Sequence, residues 1–200
     1  MISADPYFPA TGMPDEEWWH ALWPCPEDVV SQMGIARGMD VVDICCGDGY
    51  FTAPMARIVY PARVIGVDLD AALLEEASAA CEGLANCSLV QADVRELARL
   101  VASPVDYAFI ANTFHGVPNQ TEFARTVLSI LKPGGRFGIV NWHAIPREQT
   151  VVLGQPRGPK SGMRMSPVAL QEIVEPAGFT LERVVELPPF HYGAVFQAKP

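Results

Sequence analysis

Val41-Val42-Asp43-Ile44-Cys45-Cys46-Gly47-Asp48-Gly49-Tyr50-Phe51-Thr52 is the stretch on which the fold turns. An apolar run reaches an acid, a tight loop of small residues follows, and a helical pattern then begins. Strand, loop and helix in that order bring backbone N–H groups to the carboxyl edge of a sheet, where they meet a ligand. Gly47 and Gly49 suit the loop because glycine takes positive φ cheaply and lets a ligand touch the backbone. Taken alone, the pattern also fits an ordinary turn between a strand and a helix.

About twenty residues on, Val64-Ile65-Gly66-Val67-Asp68 ends a second apolar strand in an acid, placed to grip ribose hydroxyls. Dinucleotides and S-adenosylmethionine both use that arrangement, and charge separates them. A pyrophosphate needs bare loop amides with no anion nearby. Here Asp43 and Asp48 flank the loop, and their carboxylates repel a phosphate but suit a ligand carrying an ammonium and a sulfonium. Thr52 stands where the dinucleotide pattern has its third glycine. The balance favours S-adenosylmethionine, with a nicotinamide-dependent oxidoreductase as the alternative.

A chain of 200 residues is one domain, or one with small additions. Its net charge of −9 argues against nonspecific binding to nucleic acid or anionic membrane, because phosphate neutralisation needs a basic surface. Asp5, Asp15, Glu16 and Glu17 near the start do not make the basic-then-apolar layout of a secretion signal. No apolar run approaches the roughly 20 residues that span a bilayer, so a cytoplasmic protein is expected. The five cysteines show no C-x-x-C spacing. They read as small buried thiols, with neither a disulfide framework nor a metal site expected.

Residues 1–25 are rich in proline and aromatics (Tyr7, Phe8, Trp18, Trp19, Trp23) and read as a strap or lid on a domain spanning 26–200, with packing the preferred use. Pro26-Glu27-Asp28 opens a helix ended by Gly34. Strands are expected at 40–45, 63–68, 88–91, 105–111 and 136–142, with a helix from Gly49 to Val59 and another capped by Asp70. Asn119 with Glu122 reads as a capping box, and Lys132-Pro133-Gly134-Gly135 as a stop. The stretch from His143 to Met165 reads as a long irregular loop. Ser166-Pro167 then caps a last helix, and two hairpin-connected strands near 181–186 and 193–198 close the chain. A hairpin is antiparallel, so the last strand must run against an otherwise parallel sheet. The class is α/β.

From Asp28 to the end, the chain resembles the class I S-adenosylmethionine-dependent methyltransferases. The loop Asp43-Ile44-Cys45-Cys46-Gly47-Asp48-Gly49 is similar to that family's first motif, most of all in the form seen in quinone-biosynthesis C-methyltransferases. Asp68 matches its ribose-binding acid, Ala92-Asp93 its adenine-contacting acid, and Leu131-Lys132-Pro133-Gly134-Gly135 its turn before strand five. The resemblance implies a three-layer, Rossmann-like sandwich with a seven-stranded, mostly parallel sheet of order 3-2-1-4-5-7-6 and strand seven antiparallel. Three positions depart from the commoner pattern. Cys45 replaces a glycine, Asp48 a threonine or serine, and strand four ends in Asn112-Thr113-Phe114-His115 rather than Asn-Pro-Pro-Tyr, which lowers nucleobases and amides as substrates.

The resemblance also implies roles. Asp43 and the loop residues Cys45, Cys46, Gly47, Asp48 and Gly49 hold the methionine end of S-adenosylmethionine, with Asn112 lining it. Asp68, with Leu69, holds the ribose; Asp93 and the Val94 amide read the adenine. The reaction is an in-line methyl displacement on a small-molecule acceptor, and a base is needed only if the acceptor loses a proton. His115 is the first candidate base and His143 the second, with Trp142 and Tyr50 as walls. Arg164 reads as a solvated arginine in preference to one that meets an acidic substrate, and His191 as a turn residue. A catalytically silent cofactor-binding module that works through a partner is a further alternative. No residue pattern selects the acceptor atom or the oligomeric state.

Overall fold

A computed structural model describes residues 16–199. Its main strands are β1 (Val41–Ile44), β2 (Val64–Asp68), β3 (Cys87–Gln91), β4 (Val105–Ala111) and β5 (Leu131–Trp142). A two-stranded hairpin, β6 (Val151–Val152) and β7 (Gln155–Pro156), precedes β8 (Phe179–Leu187) and β9 (His191–Ala198). The helices are α1 (Glu16–Leu22), α2 (Pro26–Gln32), α3 (Thr52–Val59), α4 (Ala71–Ala80), α5 (Leu97–Leu100), α6 (Gln120–Leu128) and α7 (Pro167–Val174).

Seven strands make one sheet in the order β3-β2-β1-β4-β5-β9-β8. Counting only its own strands, that order is 3-2-1-4-5-7-6, as the resemblance implied. The first five pair in parallel, and β9 runs antiparallel to both β5 and β8.

Side chains on a strand alternate between faces, and β1 is buried on both. Val42 and Ile44 join Ala108, Ile110, Phe137 and Ile139 under α6 and α7. Val41 joins Phe109, Val140 and Val195 on the other face, under α1, α2 and α3. Three layers result. The chain crosses from one side of β1 to the other between β3 and β4, and such a reversal opens a crevice at the carboxyl ends of β1 and β4.

Asp70 caps α4 by accepting from the Ala72 amide at 2.9 Å, and Ser166 caps α7 from the Ala169 amide at 3.2 Å, both as expected. Four expectations need correction. The third helix starts at Thr52 rather than Gly49, because φ is +57° at Cys45, +56° at Gly47 and +85° at Gly49, and no helix begins through such a turn. Asn119 sits at φ +50° and meets the Glu122 carboxylate directly, so α6 begins without a side-chain cap. The fifth strand begins at Leu131, which pairs with Val105, so the Lys132–Gly135 turn lies inside it. The stretch 143–165 is not structureless: it holds the β6–β7 hairpin and short helical turns at Arg147–Gln149 and Ser161–Met163.

Trp18, Trp19 and Trp23 are buried in the same core cluster as Val29 and Val30 of α2 and Met55 and Ala56 of α3. Tyr7 and Phe8 lie outside the described residues. Among the described residues no helix is long and apolar enough to cross a membrane.

Candidate functional site

Asp43 is the third residue of β1, and its side chain is only 3% exposed. Thr52, at the start of α3, donates its hydroxyl to Asp43 Oδ2 at 2.5 Å. Burial raises the carboxyl pKa to about 7; the Thr52 hydrogen bond opposes this, and the charges of Asp68 and Asp48 add to it. A cation entering beside Asp43 relieves both the burial and the repulsion.

The three positive φ values curl residues 45–49 into a tight loop above β1. At Gly49 a Cβ would stand 3.0 Å from the Ala77 Cα, so glycine is required both by φ and by the close approach of α4. The Gly47 amide donates to Asp68 Oδ2 at 2.9 Å, and the Asp70 amide to Asp68 Oδ1 at 3.0 Å. Each oxygen keeps a further lone pair, so Asp68 is oriented by the backbone while still able to accept ribose hydroxyls. Leu69 beside it accepts from Gln91 through its carbonyl at 3.3 Å. Asp48 accepts from the Tyr50 amide at 3.1 Å. Burial and the nearby carboxylates raise the pKa of the Cys45 and Cys46 thiols, which are neutral packing groups in this loop.

Asp93, two residues past β3, is gripped by Arg95. The guanidinium Nε stands 2.9 Å from both carboxylate oxygens, the Arg95 amide donates at 2.9 Å, and these bonds lower the Asp93 pKa. Its carboxylate is therefore already engaged, while Val94 beside it is buried.

At the end of β4, Asn112 takes φ +58° and its amide donates to Val140 O at 2.9 Å. Both polar atoms of its side chain are buried without a hydrogen-bond partner among the described residues. Buried amides are almost always paired, so this one is complementary to a ligand group. The cradle fits the expected cofactor on that observation and on the acids around Asp43.

His115 lies in the turn that follows, with Nδ1 3.1 Å from Asn141 Oδ1 on β5. With Oδ1 accepting, Nδ1 carries the proton and Nε2 keeps its lone pair. Burial lowers the pKa of His115, the Asn141 bond opposes this, and the Arg164 charge lowers it further, so the neutral ring prevails. His143 is drawn instead toward the sheet edge: its Nε2 is 3.0 Å from Glu186 on β8, and its ring packs on Tyr192.

Two readings are overturned. His191 is not a turn residue: it opens β9, is 1% exposed, and its ring centroid lies 4.0 Å from that of Trp142 and 4.5 Å from that of Trp23. Neither of its nitrogens has a partner among the described residues, and burial, with the charges of Arg164, His143 and His115, lowers its pKa strongly. Arg164 is not solvated: it is 8% exposed, with its guanidinium carbon 4.9 Å from the Trp142 ring centroid. A local sequence signal existed for both: Phe190 and Tyr192 flank His191, and Met163 and Met165 flank Arg164.

Trp142 and Tyr50, expected as walls, belong to an aromatic cluster holding all four tryptophans of the chain. Tyr50 donates its hydroxyl to the Trp23 carbonyl. Among the described residues no group of three His, Cys, Asp or Glu side chains is arranged to hold a metal ion.

Residues 41–135 match a family model described as a methyltransferase domain. A demethylmenaquinone methyltransferase of Staphylococcus aureus is 30% identical over 117 residues, covering 58% of this chain and 47% of that protein. The chain thus spans about half the length of the curated relatives it matches. Among solved structures, an S-adenosylmethionine-dependent methyltransferase from Aquifex aeolicus superposes with a TM-score of 0.76 at 23% identity, over 92% of this chain and 94% of its own. A chain named DhpI, solved as a complex with S-adenosylhomocysteine, gives 0.66 at 24% identity over 92% of this chain and 91% of its own. At those identities the structures attest the fold.

Proposed function

Since the chain belongs to the class I S-adenosylmethionine-dependent methyltransferase family, we propose that it transfers the methyl group of S-adenosylmethionine to a small-molecule acceptor. The observation that carries this reading is Asp43, a buried carboxylate balanced between charge states at neutral pH, with Asp48 and Asp68 close by. Such a pocket disfavours a diphosphate and favours a guest with an ammonium and a sulfonium.

In this reading Asp43, Asn112 and the loop Cys45, Cys46, Gly47, Asp48 and Gly49 hold the amino-acid end. Asp68 and Leu69 hold the ribose, and Asp93 with Val94 borders the adenine. When bound, S-adenosylmethionine supplies an electrophilic methyl group on a good leaving group, displaced in line by the acceptor. The protein's task is then to align the acceptor and exclude water. Trp18, Trp19 and Trp23, buried in the N-terminal segment read as a strap or lid, exclude water. His115 Nε2 accepts a proton where the acceptor must lose one, and His143 is the second candidate. The Staphylococcus aureus relative is named for a small-molecule acceptor, which supports that class.

Titration calorimetry with S-adenosylmethionine, S-adenosylhomocysteine and NADH tests the reading. The first two should bind at one per chain and NADH should not. Absence of binding by either adenosyl ligand, or tight NADH binding, overturns it.

A further inference from the structure

Arg164 is a buried cation with no acidic partner among the described residues. A guanidinium carries five N–H donors, and three of these go to neutral oxygens. Nε donates to Pro159 O at 3.1 Å, and Nη2 to Thr150 Oγ1 at 2.9 Å and Arg157 O at 3.0 Å. The remaining two sit on Nη1, which is buried and without a partner among the described residues. Glu148 is the acid whose charge reaches Arg164; it is exposed and makes no ion pair with it among the described residues. A buried charge left uncompensated is strongly unfavourable, so this arrangement suits an anionic guest.

The surroundings say which kind. Arg164 lies over Trp142, and His191 packs against the same ring. Trp23 packs on His191, Trp19 stacks on Trp23, and Arg157 lies over Trp18. Through this one connected cluster run further buried polar atoms without partners among the described residues: Arg157 Nε, both nitrogens of His191, and the indole Nε1 of Trp19 and Trp23. All but one of the His191 nitrogens are donors. An aromatic cluster with spare donors and a spare positive charge complements a flat molecule rich in acceptors and negatively charged. The cluster stands beside the reaction centre, because Trp142 follows Asn141, which holds His115, and the Arg164 charge reaches His115.

We propose that the methyl acceptor is a planar acid whose carboxylate is received by Arg164 Nη1 at the Trp142 ring, with the imidazole of His191 beside it. This makes Arg164 a specificity residue, and it rests on the methyltransferase reading of the site.

The test uses the whole protein saturated with S-adenosylhomocysteine, titrated by calorimetry with matched acids and amides. The pairs are 4-hydroxybenzoate with 4-hydroxybenzamide, indole-3-carboxylate with its carboxamide, and 2-naphthoate with 2-naphthamide. A charge-assisted hydrogen bond exceeds a neutral one by about tenfold or more in affinity, so at least one acid should bind at least about tenfold tighter than its amide. Arg164→Met should bring that ratio to about one while the S-adenosylhomocysteine affinity stays within about twofold; Arg164→Lys should keep part of the ratio, because charge survives and the fork does not. Equal binding of acids and amides, no binding of either, or a preference that survives Arg164→Met overturns the proposal. Should Arg164→Met fail to fold, the wild-type ratio and Arg164→Lys decide. Loss of S-adenosylhomocysteine binding by the wild type overturns the underlying reading instead, so the two failures are distinct.

Discussion

Asp43 sets the pH behaviour at the scale of single residues. Its folded pKa is about 7 against 3.8 unfolded, so between those values the folded state holds the extra proton. The stability from this group is fully present below the unfolded value and is lost as pH rises through about 7. The ligand-free protein should therefore lose a few kcal/mol from this group between about pH 4 and 8, seen as a falling Tm, and Asp43→Asn should flatten that slope. A sulfonium ligand prefers the ionised carboxylate. S-adenosylmethionine should accordingly bind more tightly as pH rises toward 7, by up to about tenfold per unit, with protons released on binding. S-adenosylhomocysteine, which lacks the sulfonium charge, should show a shallower dependence. A flat calorimetric profile for both ligands refutes the electrostatic role of Asp43. His115 makes a second case: followed by NMR, its ring should titrate below the ordinary histidine value, and Asn141→Ala should lower it further by removing the acceptor that favours the charged ring. Asp43 was legible in the sequence because a loop motif fixes which way it points. For His191 and Arg164 the apolar neighbours in sequence were the only sign, because their burial is decided by Trp23 and Trp142, distant in sequence.

Elements separate local from ligand-directed effects. Asp70 caps α4 through one hydrogen bond and stands outside the loop, so Asp70→Ala should cost about 1 kcal/mol of stability in denaturant unfolding and leave cofactor affinity unchanged. Gly49→Ala should do both kinds of damage. Its φ of +85° and the 3.0 Å approach to Ala77 force the loop to move, which should destabilise by more than about 1 kcal/mol and weaken S-adenosylhomocysteine binding measurably. An Asp70→Ala variant that binds the ligand more weakly places the cap inside the site. The strands and the order of the sheet were legible because apolar runs and the matched motifs fix them. Boundaries failed where positive φ intervened, at Cys45 and at Asn119, since neither is a glycine that advertises the turn. The stretch 143–165 failed for another reason. Arg147, Thr150 and Arg164 tie it together through side-chain bonds to carbonyls at Gly158, Arg157 and Pro159, a closure that composition does not reveal.

In the whole molecule the proposed reading gives the two halves of the sheet different guests. The β1–β2 side carries Asp43 and Asp68, while the other half carries Asn112 just after β4, Trp142 on β5 and His191 on β9, with His115 and Arg164 close by. The segment around α1 joins them. Tyr50, in the loop that follows β1, donates to the Trp23 carbonyl, and Trp23 packs on His191 in the other half. Any ordering of the loop by an adenosyl ligand should pass along these contacts to the aromatic cluster, and a guest held at the cluster should act back on the loop. Because coupling is reciprocal, S-adenosylhomocysteine should tighten an arylcarboxylate by the same factor as that acid tightens S-adenosylhomocysteine, about fivefold or more. Calorimetry in both orders of addition measures the two factors. Tyr50→Phe keeps the ring against Trp19 but removes the hydroxyl, so it should lower both factors together while each ligand alone binds nearly as before. Equal factors that stay unchanged in Tyr50→Phe would show that the halves communicate through the sheet and not through the N-terminal tryptophans.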